Sequence, residues 1–167
     1  LRLTAQALDE TLLRRFAADE DVKKIARSRG ALMRLWETCQ LPDFQKTTLD
    51  EHAPLSKEIC TALTGRRARL TEDWVAPRFN DLDRDDGQID QLSARLAGVR
   101  TLAYIANRPD WMDQAQGWRD KTKALEERLS DVLHERLTAR FVDRRTTALM
   151  RALNVRSDTV AGVADDG

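Results

Sequence analysis

The chain has 167 residues, with 28 basic and 28 acidic side chains, 34 % charged and 5 % aromatic residues. It is long enough to bury one hydrophobic core, and its zero net charge excludes a polyelectrolyte that coats nucleic acid along its whole length, so an electrostatic partner needs a local patch. Two cysteines without repeated spacing, Cys39 and Cys60, exclude a disulfide framework, and no run reaches the roughly 18 apolar residues of a membrane span.

Taken in order, the first element is a short helix from Thr4 to Phe16. Asp19 caps a second, with Glu20 and Asp21 in its first turn, where the helix dipole favours acids. Val22, Ile25, Ala26, Leu32, Met33, Leu35 and Trp36 are its apolar positions. Gly30 in the middle implies either a bend or a meeting of two helices. Leu41-Pro42-Asp43-Phe44 is a stop. Thr48 and Glu51 have the spacing of a capping box, while Pro54 favours a helix start closer to His52. That helix runs through Leu55, Ile59, Ala62 and Leu63 to Gly65. After the basic loop Arg66-Arg67-Ala68-Arg69, Thr71 caps a helix from Glu72 to about Leu82, which Pro77 could bend or shorten. An acidic turn centred on Asp86-Gly87 precedes a helix from Gln88 that stops at Asn107-Arg108-Pro109. Trp111 and Met112 form an apolar elbow. Asp113 is the expected cap of the last and longest helix, about Gln114 to Leu153.

These elements predict an all-α fold, an irregular bundle of six or seven helices with one long C-terminal helix, occupying residues 1–155 and followed by a loose tail over 156–167. Cys39 and Cys60 sit at positions expected to be buried as free thiols, and the content reads as cytoplasmic, with no membrane partner. The chain starts at Leu1, inside an apolar-patterned segment, and reads as a piece of a longer protein.

The last helix carries the strongest functional signal. Trp118, Thr122, Leu125, Leu129, Val132 and Leu133 share one face. After Leu137 the apolar set moves to nearly the opposite side: Phe141, Val142, Ala148, Leu149, Ala152 and Leu153. The two halves are therefore expected to meet different neighbours, or the helix to break near Thr138. Arg136, Arg140, Arg144 and Arg151 fall within roughly 80° of one another on the helical wheel. Residues 136–156 hold six arginines against the single acid Asp143. A solvated face with local ion pairs, for example Arg140 with Asp143, is one reading. Phosphate tracking by planar guanidinium forks is a second, and docking on an acidic protein surface a third. Arg66, Arg67 and Arg69 form a weaker basic candidate.

Other chemistry finds little footing. The acidic turn from Asp81 fails as a calcium loop, because Asp86 stands where the turn needs glycine and Leu92 where it needs a bidentate Glu. Thr138 occupies the position of a second zinc-binding His after His134-Glu135, and His52 and His134 lack partners at metal-ligand spacing, so no metal site is assigned. Neither Gly-x-x-x-x-Gly-Lys nor Gly-x-Gly-x-x-Gly occurs, and no nucleophile elbow. No catalytic residue and no cofactor-binding residue stands out. Trp36, Trp74, Trp111 and Trp118 could stack on bases, but each sits where core or hinge packing accounts for it.

Three stretches resemble the C-terminal region of bacterial superfamily 2 helicases related to the mitochondrial degradosome RNA helicase of the suppressor-of-var type. They are ADEDVKKIARSRGALMRLWETCQLPDFQKTTLDEH at 18–52, IDQLSARLAGVRTLAYIANRPDWMD at 89–113 and WRDKTKALEERLSDVLHERLTARFVDRRTTALMRAL at 118–153. The resemblance implies an accessory helical module behind two motor domains of the same chain. Those motors would hold ATP and magnesium and carry the hydrolase activity, while the module would pack on them and shape the path of single-stranded RNA or DNA. It carries no catalytic residue over to this sequence. A protein–protein interaction module without nucleic-acid contact is the alternative.

Overall fold

Side-chain caps set four of the helix starts among the described residues. The computed structural model describes residues 7–161, with side chains through residue 156. Seven helices follow one another: α1 (Leu8–Ala17), α2 (Glu20–Ile25), α3 (Arg29–Cys39), α4 (Leu49–Thr64), α5 (Glu72–Leu82), α6 (Ile89–Asn107) and α7 (Ala115–Ala161). Among the described residues no strand forms; Leu70 and Met112 make one isolated parallel bridge. Asp19 accepts the N–H groups of Asp21 (2.9 Å) and Val22 (3.2 Å) at the start of α2. The Thr48–Glu51 capping box is present, with the Thr48 N–H donating to Glu51 at 2.9 Å. These bonds to Thr48 hold the Glu51 carboxyl below its usual range. Gln88 and Gln91 build a second box at α6. Gly87 turns the chain at φ +105°, a left-handed value that suits glycine.

Several boundaries differ from expectation. Ala7 is extended, so α1 starts at Leu8, and the proposed turn from Thr4 falls outside the described residues except for Ala7. The segment after Asp19 is two helices, one of the two expected outcomes, but their junction lies before Gly30. They meet at Ala26–Ser28, where Ser28 accepts the Ala31 N–H at 3.1 Å and opens α3, so Gly30 lies in the first turn of α3. This rotates Leu32 and Met33 outward, each 53 % exposed. α4 starts at Leu49 despite Pro54. The capping box holds the first turn, and the carbonyl that Pro54 cannot bond belongs to exposed Asp50. Pro77 likewise sits inside α5 without ending it. Asp113 does not cap α7. Its N–H is drawn to the Leu70 carbonyl at 3.0 Å, and Gln114, at φ 52°, precedes the helix instead. Finally, α7 runs without a break through Thr138 and on to Ala161, so residues 156–161 are helical; the rest of the expected tail lies outside the described residues.

Three apolar clusters hold the bundle. Leu12, Phe16, Val22, Leu35, Cys39, Ala53 and Cys60 join α1–α4. Leu41, Ile59, Leu63, Leu70, Val75, Ile105, Trp111, Met112 and Trp118 join α4–α7 and the elbow. Leu92, Leu96, Val99, Leu125 and Leu129 lock α6 against the first half of α7. Desolvation, with Cys60 and Asp9 nearby, pushes the Cys39 thiol up to about 12, so both cysteines act as buried apolar residues. The elbow is clamped by the Leu70 N–H donating to the Trp111 carbonyl at 2.7 Å, and Trp111 is fully buried. Phe79 of α5 meets Trp118 of α7 edge to face at 5.5 Å. Ion pairs tie the outside: Arg100 to Glu126 at 2.9 Å, Arg128 to Asp83, and Arg78 to Glu58 at 2.8 Å while stacking on Trp74.

Asp19 does two tasks, since it also pairs with Lys57 of α4 at 2.7 Å. The Lys57 ammonium, then the Val22 N–H, lower the Asp19 carboxyl below its ordinary range. A depressed carboxyl contributes stability above its unfolded value, near pH 3.9, and loses that contribution as pH falls through the folded value. Asp19→Asn keeps a capping oxygen and removes the charge. Melting temperature measured against pH is expected to fall less steeply below about pH 4 in this variant than in the wild type. Added salt should narrow the difference, because the pair is open to solvent.

Candidate nucleic-acid interface

α7 is 47 residues long, about 70 Å of helix, and its two halves have different surroundings. Trp118, Thr122, Leu125 and Leu129 are buried, with Val132 and Leu133 partly so, which is the face expected from the spacing. Every described residue from His134 to Arg156 is exposed. The second apolar face therefore has no neighbour among the described residues, in place of the different partner that was expected. Phe141 is 60 % exposed and Leu149 61 %. The projecting half persists because the anchored half supplies the costly nucleus, and each further residue adds a hydrogen bond for one pair of dihedrals.

Arg136, Arg140, Arg144 and Arg151 stand on this projecting half. None forms an ion pair among the described residues, and the expected Arg140–Asp143 bridge is absent. Arg145 instead lies over the Phe141 ring at 5.7 Å, on the apolar side. Where α7 leaves the bundle, Arg136 and Arg140 line a groove together with Gln88, Ile89, Ala139 and the two acids Asp90 and Asp143. An open row of guanidinium groups on one helix can meet successive phosphates, since each group offers several donors in a planar fork.

The loop arginines do not join that row. Arg66 and Arg67 are exposed, and Arg69 pairs with Asp110 at 3.3 Å. Arg69 lines a cleft at the start of α7 together with Arg108 and Arg119. Arg119 lies 17 residues before Arg136, about 25 Å along the helix axis, so the two basic loci are separate. Sequence reasoning read Arg108 as part of a helix stop and did not single out Arg119. The signal available was a basic residue on each side of a helix start.

His52 is buried and its Nε2 lies 3.0 Å from the Leu41 carbonyl oxygen, a structural contact. Among the described residues no group of three or more His, Cys, Asp or Glu side chains gathers into a metal-ligand set. Among the described residues no helix is long and apolar enough to cross a membrane. The tryptophans pack as expected: Trp111 and Trp118 are buried, Trp36 and Trp74 half-buried. Fold and surface together define a helical module with a projecting cationic helix. Comparison with known protein families, with curated proteins and with solved structures finds no match for the chain.

Proposed function

We propose that this chain is a C-terminal accessory module of an ATP-dependent RNA or DNA helicase, which supports strand binding and motor packing and does not itself hydrolyse ATP. The carrying observation is the row Arg136, Arg140, Arg144 and Arg151, in no ion pair among the described residues, on the part of α7 that leaves the bundle. Charge without internal partners on an exposed rod favours an external polyanion over a self-satisfied surface. The likeness of residues 18–52, 89–113 and 118–153 to the helicase region supports the link to a motor, whose domains would hold ATP and magnesium. Contacts of this kind grip the backbone and ignore base identity.

Exposed Leu137, Phe141, Val142, Leu149 and Leu153 favour the second reading, a protein-docking helix, because the same rod offers an apolar side. Salt separates the two. Four phosphate contacts on a single strand give a slope of log affinity against log salt near −3, and Arg140→Ala with Arg144→Ala should reduce it to about −1.5. The measurement is binding of a labelled single-stranded oligonucleotide at several salt concentrations. A flat response, or one that the double variant leaves unchanged, rejects strand contact by this row.

A further inference from the structure

The elbow between α6 and α7 holds a cleft of about 690 Å³ whose basic side chains are Arg69, Arg108 and Arg119. Asp110 is the acid in its lining and is already paired with Arg69. Arg108 and Arg119 have no carboxylate partner among the described residues, and the Nε of each is sealed from solvent without an acceptor. Arg108 is held over the rings of Trp111 at 5.4 Å and Tyr104 at 5.9 Å, which fixes its place without neutralising it. Two half-buried cations lining one cleft are costly unless an anion compensates them. The same cleft receives the first turn of α7: the N–H groups of Ala115, Gln116 and Gly117 meet no acceptor among the described residues, and a Cβ placed on Gly117 would enter open space. Free donors at the positive end of a long helix suit an oxyanion.

We infer that the α6–α7 cleft is a binding site for a phosphate group, held by Arg108 and Arg119 with the backbone N–H groups that open α7. A planar fork on each arginine matches phosphoryl oxygens, and Arg69 adds charge at the rim. The group can come from the backbone of a nucleic-acid strand or from a free phosphate. The site stands on its own residues, about 25 Å from the distal row, and does not rest on the helicase reading.

The test is an amide-resolved NMR titration of the 167-residue chain with inorganic phosphate, ionic strength held constant with chloride. Saturable shifts are expected at the amides of Ala115, Gln116 and Gly117 and at the Nε–H of Arg108 and Arg119. Arg119→Gln, and separately Arg108→Gln, should weaken binding roughly tenfold, while Arg14→Ala, an exposed residue of α1, leaves it unchanged. Absence of saturable shifts in the wild type at millimolar phosphate overturns the site, and so does equal weakening by Arg14→Ala. A single-stranded oligonucleotide that moves the same amides and is competed by phosphate assigns the strand as the source. Phosphate shifts without oligonucleotide shifts assign a free phosphate, and either result supports the site.

Discussion

Trp111→Ala is expected to cost about 3–5 kcal/mol of stability and lower the melting temperature by roughly 10 °C or more. Trp111 is fully buried in the central cluster that joins α4–α7. Its ring meets Tyr104 edge to face at 6.5 Å, its Nε1 donates to Glu37 of α3 at 3.3 Å, and its carbonyl accepts the Leu70 N–H. The side chain thus ties α3, α6 and the elbow, while the bond to the α4–α5 loop is made by its backbone and survives the truncation. Truncation leaves a cavity that backbone on several sides cannot close. Trp111→Phe keeps most of the ring and loses the weak indole bond, so its cost should stay near 1 kcal/mol. Thermal and urea unfolding of the two variants checks the ranking. Similar stability for Trp111→Ala and wild type would show that the elbow is peripheral to the core.

Ending the chain after Ala139 should separate folding from binding. The described side chains beyond Ala139 are all exposed, so little apolar surface leaves the core, and the melting temperature should move by no more than about 2–4 °C. The same cut removes Arg140, Arg144 and Arg151. Salt-dependent affinity for a single strand should fall by the effect of three of the four contacts, leaving a slope near −0.7. A large loss of stability would mean that the distal helix supports the bundle. Retained binding would place the strand elsewhere, and the α6–α7 cleft would be the first locus to examine by its own amide shifts.

Much of the architecture was legible along the chain. The Thr48–Glu51 box, the Asp19 cap, the turn at Gly87 and the stops at Pro42 and Pro109 depend on chemistry within a few residues, which is why local reasoning found them. The buried face from Trp118 to Leu129 was legible for the same reason, since helical periodicity marks a face whatever lies against it. Pro54 misled because a well-capped first turn outweighs one lost hydrogen bond beside solvent. Asp113 misled because a distant residue, Leu70, took its N–H.

By itself, the sequence determined a helical bundle, the positions of most caps and the clustering of arginine on the last helix, because each of these follows from neighbours within one or two turns. Tertiary structure alone decided that the side chains from His134 to Arg156 are exposed, with the guanidinium row in no ion pair among the described residues. It also brought Arg108 and Arg119 to one cleft across the elbow. Both outcomes depend on where α6 and the Leu70 loop pack. That packing is set by the cluster that joins Leu92, Leu96 and Val99 to Leu125 and Leu129 and by the Leu70–Trp111 hydrogen bond, between residues whose separation in the chain carries no periodic signal.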